Sequence, residues 1–297
     1  MNTTLKSLLL FVLLTAAGFA ETANLAVRWY RLAADLGFAD AQQRLGVMYR
    51  EGDGVPKDYA EALKWYRKAA DQGNAEAQDN LGIAYYNGEG VPKDYPEALR
   101  WFRKAVDQGN AGAQYSLGYM YADGRGVWKD SAEAVKWYRL AADQWFDVAQ
   151  YSLGYMYAVG EGVPKDDEEA VKWYRKSADQ GFAAAQCSLG DMYRVGRGVP
   201  KDYVEAVKWY RLAADQWYDD AQYQLGIAYA NGAGVPKDLV HAHVWLNIAG
   251  ANGLEDAKKS LEIAEKEMTS EQKAEAVKLA RELFAKLPTG SRDRPTQ

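Results

Sequence analysis

The sequence predicts an all-α solenoid of about seven helix-pair repeats of 36 residues, closed at its C-terminal end by a capping helix. Three observations support this fold class: a tryptophan recurs every 36 residues, each period reads as two helices, and one glycine-rich loop separates the periods. Such periods indicate arrays whose units bury their apolar faces by stacking on one another. The recurring tryptophans are Trp29, Trp65, Trp101, Trp137, Trp173, Trp209 and Trp245.

The composition is typical of a soluble protein, with 48% hydrophobic and 26% charged residues among 297. The formal net charge is −5. Binding to nucleic acid needs a basic stripe, so this mildly acidic balance argues against a nucleic-acid partner.

The first twenty residues are predicted to be a signal peptide. Lys6 supplies the positive charge, and Ser7 to Leu14 with the following Thr-Ala-Ala the apolar stretch. Gly18-Phe19-Ala20 has small residues at the two positions that a signal peptidase reads. We expect cleavage after Ala20 and a periplasmic or secreted protein. The alternative is an uncleaved anchor, but the apolar stretch is shorter than the roughly 20 residues of a bilayer span. No stable membrane insertion is therefore expected after cleavage.

The repeat phase agrees with this cleavage site. Seven residues before each recurring tryptophan after Trp29 stands an aspartate suited to cap a helix. Counting back seven residues from Trp29 gives Thr22, which can also cap a helix. The mature chain would then begin at Glu21, directly before its first helix.

Within one period, residues 58–93, the first helix is predicted from its cap and its apolar stripe. Asp58 and Glu61 have the spacing of a capping box, in which each side chain binds a free backbone N–H of the first turn. One helical face is apolar. Its residues are Ala62, Trp65, Tyr66, Ala69 and Ala70.

The second helix is predicted to run antiparallel to the first, because only a short turn with Gly73 and Asn74 joins them. A glycine recurs in the middle of the first six second helices, although glycine there costs about 1 kcal/mol. Close approach of a neighbouring helix is the expected compensation. These glycines are Gly46, Gly82, Gly118, Gly154, Gly190 and Gly226.

A loop of the type Gly52-Asp53-Gly54-Val55-Pro56-Lys57-Asp58 follows each second helix except the seventh, which runs on without it. Two glycines around one residue also occur in phosphate-binding loops, but those follow a strand. Turn formation and capping of the next helix explain this loop.

The recurrent patterns Ala-x-x-Trp-Tyr-x-x-Ala-Ala, Ala-Gln-x-x-Leu-Gly-x-x-Tyr and Gly-x-Gly-Val-Pro-Lys-Asp resemble the Sel1-like repeat, a relative of the tetratricopeptide repeat. The resemblance covers residues 22 to about 268, and we assign residues 21–268 to this solenoid. It implies right-handed superhelical stacking and a role as an adaptor or scaffold in protein complexes.

The C-terminal end is predicted to be a cap. Lys258 stands where the other repeats have glutamine, and Thr269 with Gln272 forms a capping-box pair that opens a last helix over residues 269–288. Its apolar stripe would cover the open end of the array, as terminal repeats must. The stripe consists of Ala276, Leu279, Ala280, Leu283 and Leu287. Residues 289–297 are expected to be a disordered tail.

We predict no catalytic, cofactor-binding or metal-binding residues. His241 and His243 point about 200° apart on a helix, which does not suit one metal ion. Cys187 has no second cysteine to pair with. The acidic residues at helix starts recur as caps. Exported relatives linked to β-lactam or cell-wall recognition carry a disulfide in each repeat, and this chain lacks those cysteines.

Departures from the repeat identify candidate partner-binding residues, because a binding surface must vary while the frame stays fixed. Trp145 and Trp217 replace the glycine that closes the first helix elsewhere, and Trp128 replaces the loop proline. Large aromatic residues in turns are typical anchors for protein partners. The alternative is that these tryptophans pack over adjacent loops.

Tyrosines on two consecutive second helices give a second candidate surface. Tyr115 and Tyr119, and 36 residues later Tyr151 and Tyr155, stand at i, i+4 and would form one aromatic field suited to a peptide or a glycan. Burial between repeats is the alternative. Basic residues of the first helices either face an acidic partner or form a solvated face; they are Lys136, Arg139, Lys172, Arg175, Lys208 and Arg211.

These observations favour a non-enzymatic interaction scaffold that binds a protein or peptide partner in the cell envelope. The alternative is a cell-wall enzyme or a β-lactam- or peptidoglycan-binding protein. Regulatory and glycan-binding roles also stay open.

Overall fold

A computed structural model describes residues 19–285, which form fifteen helices and contain no strand. The chain divides into two compact units between Gln144 and Trp145. Unit 1 contains α1 (Phe19–Asp35), α2 (Ala39–Glu51), α3 (Tyr59–Asp71), α4 (Ala75–Asn87), α5 (Tyr95–Val106), α6 (Ala111–Asp123) and α7 (Ser131–Asp143). Unit 2 contains α8 (Asp147–Val159), α9 (Asp167–Asp179), α10 (Ala183–Val195), α11 (Tyr203–Ala214), α12 (Asp219–Asn231), α13 (Leu239–Ala251), α14 (Glu255–Glu267) and α15 (Ser270–Ala285). Odd-numbered helices from α1 to α13 are the first helices of the predicted repeats.

The first helix begins earlier than the sequence predicted. α1 starts at Phe19, so Thr22 lies inside the helix and does not cap it. No glycine or proline interrupts residues 19–22, so the helix extends upstream of the expected cap. The predicted cleavage site after Ala20 falls in the first turn of α1. Most of the predicted signal peptide, residues 1–18, and the predicted tail, 289–297, lie outside the described residues.

The first helices carry the predicted aspartate caps, but not the full capping box. Asp58 accepts a hydrogen bond from the backbone N–H of Glu61 at 2.9 Å. The N–H of Asp58 donates instead to the carbonyl of Tyr49 in α2 at 2.8 Å, and the Glu61 side chain binds Lys64. The box is therefore half formed, because the second helix of the preceding repeat already satisfies the N-cap N–H. The same cap occurs at Asp94, Asp130, Asp166, Asp202 and Asp238.

The predicted apolar stripes form the core. In α3 all five stripe residues are buried, from Ala62 to Ala70. In the second helix α4, Asn74 caps the first turn, while Leu81 and Gly82 are buried. Both helices thus bury the faces that their spacing predicted.

Each central glycine of a second helix lies under a side chain of the next first helix. A Cβ atom built on Gly154 in α8 would lie 2.7 Å from a ring carbon of Tyr174 in α9, and 3.2 Å from the carbonyl oxygen of Ala170. The predicted close approach is therefore largely made by a side chain, with the backbone close behind it. The corresponding pairs are Gly46–Tyr66, Gly82–Phe102, Gly118–Tyr138, Gly190–Tyr210 and Gly226–Leu246.

A row of glutamines hydrogen-bonds one repeat to the next. Buried Gln42 donates to the carbonyl of Ala34 at 3.0 Å, and its side-chain oxygen accepts from Gln72 of the next repeat at 2.7 Å. Unit 1 repeats the inter-repeat bond as Gln108–Gln78 and Gln144–Gln114, and unit 2 as Gln180–Gln150 and Gln216–Gln186. Buried polar atoms need such partners, because leaving one unpaired costs roughly 1–3 kcal/mol.

The C-terminal helix covers α13, as predicted. Thr269 and Gln272 form the reciprocal capping box, with N–H to side-chain oxygen distances of 2.9 and 3.3 Å. Ala276 of α15 is buried in one cluster with Val244 and Ile248 of α13. The described helix ends at Ala285, and the rest of the predicted cap to residue 288 lies outside the described residues.

One carboxyl group in unit 1 is buried without full compensation. Asp79 of α4 bonds to Ser116 of α6 through its side chain, yet its Oδ1 atom is buried and has no hydrogen-bond partner. Its Oδ2 atom occupies the space that a Cβ on Gly112 would need, 2.6 Å away. Burial raises the pKa of Asp79 to about 7, although nearby Arg50 and Ser116 lower it.

We expect Gly154→Ala to destabilise unit 2 by about 1–2 kcal/mol. Overpacking against Tyr174 costs about 1–3 kcal/mol, and the better helix propensity of alanine returns up to about 1 kcal/mol. Urea unfolding of the wild type, Gly154→Ala, Tyr174→Ala and the double variant measures this. In the double variant the added methyl group should cost less than it does alone. Equal costs in both backgrounds would show that the ring does not require the glycine.

We expect Asp79→Asn to stabilise the protein increasingly as the pH rises. The folded-state pKa of Asp79, about 7, lies above its ordinary value of 3.8, so its protonated form favours folding. This contribution is complete below pH 4 and is lost as the pH rises through 7. Asparagine should therefore gain roughly 3–4 kcal/mol at pH 8 relative to its effect at pH 4, since each unit of pKa difference corresponds to about 1.4 kcal/mol. Urea unfolding at both pH values measures the difference, and a pH-independent effect would contradict it.

Candidate partner-binding surfaces

Trp128 is the most exposed large apolar side chain among the described residues. It lies in the loop between α6 and α7 of unit 1, and 94% of its surface is accessible. The loop still positions Asp130, which caps α7. An exposure this high argues against the alternative that Trp128 packs over adjacent loops.

Trp145 precedes α8 in unit 2 and combines exposure with a strained backbone. Its φ of 65° lies in the left-handed region, and its side chain is 70% exposed. A non-glycine residue in this conformation costs roughly 1–3 kcal/mol. The glycines in the same turn of other repeats have positive φ and open space where a side chain would begin; they are Gly37, Gly73, Gly109, Gly181 and Gly253.

Trp217 has the same backbone conformation but a different environment. Its φ is 66°, yet its side chain is half-buried against the cluster that joins α13 to the C-terminal cap. Val240 and Ile248 belong to this cluster. For Trp217 the packing alternative therefore accounts for much of the side chain.

The tyrosines of unit 1 form a larger cluster than the sequence suggested. Half-buried Tyr115 lies 5.6 Å from Tyr138 and 6.5 Å from Tyr119, measured between ring centroids. Tyr119 is exposed and lies 6.0 Å from Tyr86, which lies 5.3 Å from Tyr95. The predicted pair thus belongs to a row of five tyrosines on α4 to α7.

Sequence reasoning missed Tyr86. The guanidinium of Arg125 lies 5.6 Å from its ring centroid, and burial raises the pKa of the hydroxyl to about 12. Comparison of equivalent positions could have found this residue, because no other repeat has an aromatic residue there. The equivalents are Arg50, Ala122, Ala158, Arg194 and Ala230.

In unit 2 the second tyrosine pair is divided between core and surface. Tyr151 is half-buried, with its ring 5.7 Å from Tyr174 and 5.3 Å from Phe182. Tyr155 is exposed. The burial alternative therefore applies to Tyr151 and the surface interpretation to Tyr155. A field that is continuous with the tyrosines of unit 1 stays a prediction.

The basic row of the first helices is largely paired within the protein. Lysines bind the glutamate three residues earlier at 2.7–2.9 Å, and arginines donate to tyrosine hydroxyls of the following helix. The lysine pairs are Lys136–Glu133, Lys172–Glu169 and Lys208–Glu205. The arginine pairs include Arg175–Tyr193 and Arg211–Tyr229. Because these charges already have partners within the protein, the arrangement fits the alternative of a solvated helix face. Exposed pairs of this kind contribute little to the stability of the fold.

The two histidines have separate partners. His241 binds Asp238 at 2.7 Å, whereas buried His243 binds Glu265 of α14 at 3.0 Å. Cys187 is buried in α10, and burial raises the pKa of its thiol, which disfavours the reactive thiolate. Among the described residues no histidine, cysteine or carboxylate cluster could hold a metal ion.

None of the described helices is both long enough and apolar enough to cross a bilayer.

Solved structures similar to this chain include three repeat proteins. A Sel1 repeat protein from Oxalobacter formigenes is 42% identical with a TM-score of 0.69, and the match covers 73% of this chain and 89% of that one. A protective antigen with an SLR fold from uropathogenic Escherichia coli is 29% identical, with a TM-score of 0.45 and coverage of 92% and 83%. An immunity protein from Pseudomonas aeruginosa, 24% identical, has a TM-score of 0.51 and coverage of 72% and 80%. No curated protein matches.

The family model of the Sel1 repeat matches seven segments, which span nearly all of the described chain. Each segment pairs a second helix with the following first helix, apart from a shorter first segment. The segments are residues 23–38, 39–74, 75–110, 111–144, 147–182, 183–216 and 219–254. Both the predicted all-α solenoid class and the predicted repeat type are confirmed. The chain therefore belongs to the Sel1 repeat family, whose solenoids are generally protein-interaction scaffolds and typically non-catalytic.

Proposed function

We propose that this protein is a non-enzymatic scaffold of the cell envelope that binds a protein or extended-peptide partner through tryptophan anchors. Its family supports the general role, since Sel1 repeats mediate protein–protein interactions. The observation that carries the specific proposal is Trp145, an exposed tryptophan held in a left-handed backbone conformation.

The solenoid frame does not require Trp145. Five other repeats close the same turn with glycine, which adopts positive φ without strain. Tryptophan there adds a backbone cost and exposes apolar surface, and within the free chain neither is compensated. Binding of a partner would compensate both, because an apolar ring that enters a partner's pocket is a typical interaction hot spot.

Trp128 supplies an equivalent anchor for unit 1. Its side chain is almost fully solvated, so burial by a partner would recover most of the free energy of transferring an indole ring from water. Exposed Tyr119 in unit 1 and exposed Tyr155 in unit 2 add amphipathic surface. Trp217 is a secondary contact at most, since it already packs against the α13 cluster.

We expect Trp145→Gly to raise stability and weaken partner binding. Removing the strained left-handed tryptophan should raise the free energy of unfolding by about 1 kcal/mol. Loss of a buried anchor should weaken binding at least about 10-fold. Urea unfolding and titration with the partner captured from envelope extract measure the two effects.

Trp217→Gly is the matched control, because it makes the same change in the same turn. It relieves the same backbone strain but removes packing against α13, so it should not stabilise the protein. If Trp145→Gly stabilises the protein yet leaves the affinity unchanged, Trp145 does not contact the partner.

Export is part of the proposal and rests on the N-terminal sequence. We expect the intact mass of the protein purified from its native cells to match a chain that begins at Glu21. We also expect osmotic shock to release the protein. Replacing the small residue before the cut, Ala20→Arg, should leave the leader attached, because signal peptidase reads a small residue there. A wild-type mass that includes Met1, found in the membrane pellet, would contradict export by cleavage.

A further inference from the structure

An apolar stripe on α1 is open to solvent. The stripe consists of Leu25, Trp29, Leu32 and Leu36, which stand at i, i+4, i+7 and i+11. The first three lie on one face of α1, and Leu36 directly follows its last residue. All four are exposed, Leu32 to 53% and Leu36 to 70%. The opposite side of the helix packs on the core through buried Val27 and Ala34.

Two of these residues, Leu25 and Leu36, replace residues that are polar in every other repeat. The second repeat has Glu61 and Gln72 at these positions. The position of Leu32 varies, with lysine in the second and third repeats and leucine in the fourth and sixth. The fold does not require Leu25 or Leu36, since polar residues occur there in otherwise equivalent helices.

The stripe includes positions that contact the preceding repeat elsewhere in the array. Gln72 binds Gln42 of the preceding repeat at 2.7 Å, and the guanidinium of Arg67 lies 5.4 Å from the ring of Trp101 in the next repeat. No helix precedes α1 in the described part of the chain. Leu36 lacks the amide that would bind the glutamine of another repeat, so the complementary surface must be apolar.

Charges beside the stripe indicate how a complementary helix would run. Arg28 and Asp35 are exposed, lie on the same edge of the stripe and stand seven residues apart, which is about 10.5 Å along the helix. Neither makes an ion pair within the described residues. An antiparallel copy of α1 brings the same edges together and sets Arg28 of each helix near Asp35 of the other. In a parallel two-fold pair these charged edges would lie on opposite sides of the interface, so Arg28 and Asp35 could not pair between the copies.

We propose that a second copy of this chain covers the stripe, with two α1 helices packed antiparallel about a two-fold axis. The interface is self-complementary: the four apolar side chains of one copy meet the four of the other, and Arg28 meets Asp35 twice. Four side chains per copy make a small contact compared with the roughly 1,200–2,000 Å² of a stable interface. The dimer is therefore weak and concentration-dependent.

This dimer would place two scaffolds in one assembly. A bivalent scaffold binds a repeated or clustered partner more tightly than a single array, because the second contact becomes intramolecular. The inference is independent of the tryptophan anchors, since it rests on residues of α1 and of the turn after it, whereas Trp128 and Trp145 lie in other loops.

Analytical ultracentrifugation of the protein as its cells process it tests the proposal. The wild type should show a reversible monomer–dimer equilibrium. Leu32→Lys with Leu36→Gln, which installs residues of the second repeat, should weaken dimerisation at least about 30-fold while circular dichroism stays unchanged. Leu140→Lys is the matched control: it changes an exposed leucine at the position of Leu32 in another first helix, α7, and should leave the dimer intact.

A charge exchange tests the orientation. Arg28→Asp places two acidic residues opposite each other and should weaken the dimer about 10-fold, whereas Arg28→Asp with Asp35→Arg should restore it. Failure of restoration, or a wild type that stays monomeric at millimolar concentration, overturns the proposal. Sedimentation with vesicles of phosphatidylethanolamine and phosphatidylglycerol is the other arm: a monomer that binds them through Leu32 and Leu36 would make the occupant a lipid surface.

Discussion

The structure depends on one contact between neighbouring repeats, in which a ring of a first helix fills the space left by a glycine on the preceding second helix. At Gly46 and Tyr66 any side chain on the glycine would overlap the ring. A helix pair of this size cannot bury its apolar face alone, so this contact aligns each repeat on the next. The tryptophan ladder follows from it, because Trp65 precedes Tyr66 directly and is carried into the same seam. The tryptophans that recur every 36 residues therefore reflect how the repeats pack and do not identify the protein partner.

The same seam explains why the ends of the array differ from its interior. Inside each unit the bonds between glutamines give the buried glutamine side-chain oxygens a partner across the seam. At the C-terminal end Asn252 replaces the donating glutamine and is one methylene shorter. It binds Asp219 at 2.6 Å, and the side-chain oxygen of Gln222 stays buried without a partner. At the other end Leu36 replaces the glutamine with an apolar residue. In unit 2 the last repeat is thus covered by α15, whereas in unit 1 the first repeat has an exposed leucine at the corresponding position.

Local spacing predicted most of the frame, because caps, stripes and turns depend on residues within a few positions of each other. Asp58, Ala62 and Gly73 act as their positions in the sequence indicated. The errors arose where a distant residue decides the outcome. The carbonyl of Tyr49 occupies the N–H that the capping box would have used. The α13 cluster and its cap bury part of Trp217, while nothing in the described part of the chain covers Trp128 to that extent. The spacing of residues along the sequence predicts neither effect.

Trp145 and Trp217 show how uncompensated local costs can locate function. Both occupy a turn that favours glycine, and their φ angles differ by only one degree. Backbone strain alone therefore does not separate a binding residue from a packing residue. Their surroundings do: Trp217 regains part of the cost by packing on α13, whereas Trp145 projects into solvent and gains little within the free chain. Exposed Leu25 and Leu36 have the same character, because polar residues serve equally well at those positions in other repeats. In a repeat protein each residue has equivalents in the other repeats of the same chain. A residue that adds backbone strain or exposed apolar surface can therefore be recognised by comparison with those equivalents.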